Sequence, residues 1–124
     1  MADDIGVIYS NEEADQSFGA VLSSVEISSS QLTSLFSQSG NYLMFKIISD
    51  KLYILGDNRS VLYPQNESVD SNEEFAVYSK SKVIELLETG GENTTIIEQR
   101  YQVYSLTNGV YTLENSSWCP PMCN

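Results

Sequence analysis

The residues best suited to chemistry lie at the end of the chain, in ENSSWCPPMCN. Cys119 and Cys123 are its only cysteines, and Trp118 stands just before them. Two thiols at this spacing could form a disulfide, remain free, or supply half of a metal site completed by another chain. A polyproline II backbone advances roughly 3.1 Å per residue, which would hold the two α-carbons about 12 Å apart. A bridge needs them within about 7 Å. A disulfide therefore requires a turn, most simply centred on Pro121 and Met122. Free thiols are the plain outcome in a reducing compartment, and the sequence leaves all three outcomes open.

Other chemistry is sparse. There is no histidine, which removes Ser-His-Asp and Cys-His catalysis and the commonest metal ligand. Neither G-x-G-x-x-G nor the P-loop pattern occurs, so nucleotide phosphate has no Gly-rich cradle. The carboxylate pairs Glu12/Glu13, Glu73/Glu74 and Glu85/Glu88 sit in polar runs or on the outer face of a helix. An acid–base pair needs one carboxyl in apolar surroundings to raise its pKa. Asp57-Asn58-Arg59-Ser60 reads as a turn and lacks the spacing of a calcium loop. The expectation is a non-enzyme without cofactor or metal. Tyrosine is frequent in strand-like segments. Tyr101, Tyr104 and Tyr111, with Trp118, are the candidate interaction surface if exposed, and sheet packing if not.

The elements that would position these residues follow from local signals. The chain of 124 residues suits one domain. An acidic segment, 1–24, opens with IGVIY, a short strand. SNEE has capping-box spacing, with Ser10 as N-cap and Glu13 as N3, and predicts a helix carrying Phe18, Val21 and Leu22. The rival reading makes FGAVLSSVEI a strand. SSSQLTSLFSQSG predicts a helix with Leu32, Leu35 and Phe36 inward and Gly40 at C′. YLMFKII reads as a central strand, LYIL and VLY as its partners, and residues 65–74 as a polar connection. FAVY is then a strand, SKSKVIELLETGG a helix closed by Gly90, and TTIIEQRYQVYSL and VYTLEN two strands turning at Asn108-Gly109. That turn predicts Leu106 opposite Tyr111 and Tyr104 opposite Leu113, all on one face.

Strand–helix–strand–strand thus occurs twice, over about 25–63 and 75–114, followed by a Cys-containing tail, 115–124. The pattern predicts an internal duplication in an α+β fold of antiparallel sheets with two short helices on one side. The stretches VEISSSQLTSLFSQSGNYLMFKIISDKLYIL and FAVYSKSKVIELLETGGENTTIIEQRYQVYSLTNGVYTLEN resemble the DNA sliding-clamp (processivity factor) domain. That resemblance implies a replication accessory factor whose helices face DNA. Here those helices carry only Lys80 and Lys82, so counterion release cannot drive binding and no direct nucleic-acid contact is expected.

Seventeen acids against six bases give a net charge of −11, which repels anionic polymers and suits a basic partner. The opening MADDIGVIYS lacks the basic start and long apolar run of a signal peptide, so cytoplasmic synthesis is expected, with a virion as a further location. No segment reads as a membrane span. The leading expectation is an acidic protein-interaction or assembly subunit, including a viral or phage structural or accessory role. A clamp-like accessory factor and an acidic inhibitor, immunity protein or DNA mimic are the alternatives.

Overall fold

Two serines begin helices by the same local chemistry. Ser10 Oγ accepts from Glu13 N (3.2 Å) while Glu13 Oε1 accepts from Ser10 N (3.1 Å), a complete capping box. Ser28 Oγ accepts from Gln31 N at 3.1 Å. The structure, a computed structural model, describes residues 4–101 and 103–119. Among them the order is β1 (Val7–Ser10), α1 (Asn11–Phe18), β2 (Val21–Ser28), α2 (Ser29–Leu35), β3 (Tyr42–Ile48), β4 (Lys51–Leu55), β5 (Val61–Tyr63), β6 (Phe75–Ser79), α3 (Lys80–Gly90), β7 (Thr94–Arg100), β8 (Val103–Asn108), β9 (Tyr111–Glu114) and β10 (Ser117–Cys119). Both readings of the first segment hold in part, because the helix ends at Phe18 and the strand starts two residues past Gly19.

The strands form two antiparallel sheets, β1-β9-β8-β7-β2 (sheet A) and β10-β6-β3-β4-β5 (sheet B). Each half lends its first strand to the other: β2 pairs with β7, and β6 pairs with β3. The exchange is reciprocal down to single bonds. Ser28 faces Thr94 as Ser79 faces Tyr42. Ser29 N donates to Asn93 O and Lys80 N to Asn41 O, each at 2.8 Å. The start of each helix is thus bonded to the loop that follows the other.

The inner faces of the sheets enclose the core. Ile27, Ile97, Leu106 and Leu113 meet Leu43, Phe45, Ile54 and Tyr78, with Leu32 and Leu35 of α2 and Val83 and Leu86 of α3 added. β3 is apolar on both faces, as its sequence predicts. Leu43, Phe45 and Ile47 join this core, while Met44 joins a second cluster on the outer face of sheet B with Leu55, Phe75, Val77 and Cys119.

Three local expectations are corrected and one gains a second reason. Leu106 pairs with Leu113 and Asn108 with Tyr111, so Gly109 (φ +63°) and Val110 form the turn. The face groupings survive this slip, but the pairs do not. Asn108 is drawn inward instead: its Oδ1 accepts from Glu92 N at 2.9 Å, and its Nδ2 reaches Thr95 Oγ1 at 3.0 Å. TTIIEQRYQVYSL is two strands, since Arg100 pairs with Val103 and the chain reverses at Tyr101. α3 ends at Gly90 as expected, with Gly91 in the left-handed region (φ +70°) as its C-cap, and Gly90 is also required by proximity, since a β-carbon there would clash with Asn108 Oδ1. Gly40 is no C′ residue. α2 runs on into a 3₁₀ turn, Phe36–Gln38, and Gly40 N donates to Asp57 Oδ2 at 3.0 Å.

Candidate functional site

The side chains that could act chemically are best followed outward from the two sheets, because each outer face is organised around an arginine. On sheet A, alternation places Glu98, Arg100, Ser105, Thr107, Thr112 and Glu114 away from the core, and α1 covers them. Ala14 of α1 is fully buried against this face, and Phe18 meets Tyr9 edge-on at 5.6 Å. Arg100, only 2% exposed, donates from Nε to Ser105 Oγ (3.0 Å) and from a terminal nitrogen to Asp15 Oδ1 (2.9 Å) and Gly19 O. Its other terminal nitrogen is 3.5 Å from Glu98 Oε1. The polar layer continues to the start of α1: Thr107 donates to Glu98 at 2.6 Å, shares a bond with Thr112, and Thr112 donates to Asn11 Oδ1 at 2.7 Å.

Glu114 is the exposed-looking residue that the fold hides. Its side chain has no solvent exposure, and Arg100 Nε lies 3.2 Å from its Oε2. This is a charge contact without hydrogen-bond alignment, since both carboxylate oxygens lack a hydrogen-bond partner among the described residues. Burial raises its pKa to about 7; Ser105 and Arg100 pull it down, while the charges of Glu98 and Asp15 push it up again. The same burial, with the charge of Glu114 next, holds the Tyr78 phenol well above its ordinary value. A carboxyl titrating near neutrality is a feature of many active sites. Here α1 seals it. The open cavity of about 190 Å³ beside Arg100 is bordered by Lys46, Glu74, Gln99, Val103, Tyr104 and Trp118, and not by Glu114. The chemistry this arrangement supports is a proton-sensitive lock between α1 and sheet A.

On sheet B the covering is the connection 64–74. Arg59 stacks over Phe75 at 5.4 Å. It donates to the carbonyls of Cys119 (3.1 Å), Asp70 (3.0 Å) and Glu73 (3.0 Å). Lys46 to Glu73 (2.6 Å) and Lys51 to Glu67 (3.4 Å) tie down the same segment. The two remaining cations are also engaged. Lys80 Nζ donates to Phe36 O and Ser39 O at 2.9 and 2.7 Å, and Lys82 pairs with Glu85 at 3.1 Å. All six basic side chains of the chain are therefore committed within the fold. Glu12, Glu26, Glu74, Glu88 and Glu92 are exposed and make no ion pair among the described residues.

The residues singled out from sequence do not form one surface. Tyr101 is 75% exposed, whereas Tyr104 is buried, its hydroxyl donating to Ile47 O at 3.3 Å across the sandwich. Trp118 is half-buried against Tyr104 at 6.3 Å, and Tyr111 is half-buried on β9. Cys119 is buried and disulfide-bonded; Cys123 and the turn considered at Pro121 lie outside the described residues. Among the described residues no group of three or more Asp, Glu, Cys or His could hold a metal ion. No helix among the described residues is long and apolar enough to cross a membrane. Sequence reasoning missed Arg100 and Glu114. Their signal was a lone arginine within two residues of Glu98 on the polar face of a strand, in a chain otherwise short of cations.

No family model, curated protein or solved structure matches this chain.

Proposed function

We propose that this protein is a non-enzymatic interaction subunit that presents an acidic surface to a basic protein partner. The observation that carries the reading is that each of the six cations already has an acceptor within the chain, Lys51 and Lys82 through pairs at the surface. The net charge of −11 is thereby displayed by unpaired carboxylates with no basic patch among them. Such a surface steers positively charged partners and repels nucleic acid.

The second reading, a clamp-like replication accessory factor, is favoured by the strand–helix–strand–strand order that both halves share. The exposed positions of α2 are uncharged, and Lys80 and Lys82 already have partners. One experiment separates the two. Linear duplex DNA with free ends should show no binding at physiological salt, because even non-specific binders at about 10⁻⁴–10⁻⁶ M neutralise several phosphates. Salt-sensitive retention of such fragments, abolished by Lys80→Glu with Lys82→Glu, would replace the first reading with the second.

A further inference from the structure

Four strands stand at sheet edges, and they are unequal. β1 has four residues, β5 three and β10 three, whereas β2 has eight. β5 runs directly into Pro64, and β10 is followed in sequence by two prolines. β2, VLSSVEIS, contains neither proline nor any basic residue. Those are two of the usual devices that stop an edge from accepting another strand; β2 carries one acid, Glu26, and a register shift at Leu22. β2 bonds to β7 along one side, and no backbone bond outside that ladder leaves residues 21–27 among the described residues. Its other side is an open row of N–H and C=O groups roughly 27 Å long.

The side chains along this edge are not neutral to what pairs with it. Val25 is half-buried beside the core, and Glu26, on the opposite face, is exposed and unpaired. A strand continuing the pleat would set alternate residues beside each of them. At the far end the pairing slips at Leu22, which is 66% exposed, and Val21 pairs with Arg100 next to the exposed Tyr101. Asp15 is held by Arg100 at this same end while its side chain remains 64% exposed.

We infer that β2 is a docking edge for an extended, lysine- or arginine-bearing segment of a partner protein, added as a sixth strand to sheet A. The segment would alternate basic residues, opposite Glu26, with apolar or threonine residues beside Val25, and an apolar residue would cover Leu22 and Tyr101. Main-chain bonds supply affinity in this mode, and alternate side chains supply selectivity. Charge decides against a second copy as the occupant, since each chain brings the same −11 to the contact. The inference rests on the acidic-partner reading above and sharpens it to one strand.

The test uses two synthetic peptides of equal charge, KTKVKTKV and KPKPKPKP, the second unable to pair as a strand. The threonine–valine peptide should bind, slowing amide exchange within residues 22–26, and should bind at least about tenfold more tightly than the proline peptide, the equivalent of one or two backbone bonds. Glu26→Lys, a change at an exposed side chain whose fold is checked by circular dichroism, should weaken binding by a similar factor. Equal binding of both peptides with unchanged exchange sinks the edge and leaves the acidic-surface reading standing. Binding of neither peptide at low salt overturns both. Sedimentation of the chain alone as a dimer that Glu26→Lys dissolves would assign the edge to a second copy instead.

Discussion

The two sheets are built to one plan and covered by opposite chemistry. Sheet B hides an apolar outer face under a loop, and Arg59 fastens that loop through neutral carbonyls. Sheet A hides a polar outer face under α1, and Arg100 fastens that helix among three carboxylates. A guanidinium bonded to carbonyls keeps its charge beside partial charges and the edge of water. One buried among acids is locked to their protonation. The difference teaches that a shared strand plan does not dictate the outer layer, which is answerable to what happens to cover it.

Removing the buried arginine is the severest way to break the comparison. Arg100→Met should destabilise the fold by about 3–5 kcal/mol in chemical denaturation at pH 7, because it strands buried carboxylate charge. A loss under about 1 kcal/mol would mean that Arg100 is not compensating buried carboxylate charge. The next effect is one of pH. Glu114 has a folded pKa of about 7 against an ordinary 4.5. The folded state therefore holds a proton that the unfolded chain releases. The stability this gives is fully present below pH 4.5 and is lost as pH rises through about 7, an interval corresponding to roughly 3 kcal/mol. Glu114→Gln should remove that decline, so variant and parent should converge near pH 4.5 and the variant should lead at pH 8. Parallel stability curves from pH 4.5 to 8 would show that Glu114 is not the proton carrier.

Smaller effects sharpen the other side. Arg59→Met should cost about 1–3 kcal/mol, and proteolysis should then cut first within residues 64–74, leaving sheet A intact. If cleavage appears instead near α1, the loop is not what Arg59 secures. The smallest contrast lies between two equivalent serines. Ser28 caps α2, whereas Ser79 precedes α3 without capping it and its hydroxyl accepts from Ile5 N at 2.6 Å. Ser28→Ala should cost about 1 kcal/mol as a lost cap. Ser79→Ala should leave helix content unchanged and speed amide exchange at Ile5; a fall in helicity there would count against the distinction.

What could be read from sequence was what neighbours in the chain decide. The Ser10–Glu13 box, the Ser28 cap and the two-faced apolar run of β3 need only local geometry or a strong pattern. What escaped was decided by distant residues. Asn108-Gly109 looked like a turn of its own, but Asn108 is claimed by Glu92 and Thr95, and the turn moves one residue on. Gly90 is glycine because Asn108 presses on it, which no helix-ending rule reveals. The break after Arg100 carries no Gly, Asn or Pro. Arg100 and Glu114 read as surface polarity, because nothing local says that α1 folds back over them. The shared strand–helix–strand order of the two halves was legible in outline, and a finer correspondence was not: Ser28 and Ser79 precede α2 and α3, Leu35 and Leu86 are buried in them, and Asp57 and Asn108 accept from backbone N–H groups, each pair 51 residues apart.

The exchange of β2 and β6 between the halves has a consequence for how the chain can come apart. Neither half contains a complete sheet, since each opens with a strand that only the other can bond. Folding must join residues 66 to 79 positions apart along β2 and β7 before that ladder is whole. The molecule should therefore melt as one cooperative unit. The halves, if severed between β5 and β6 and produced separately, should remain unstructured alone and regain the fold only on mixing, as two fragments that complete each other's sheets.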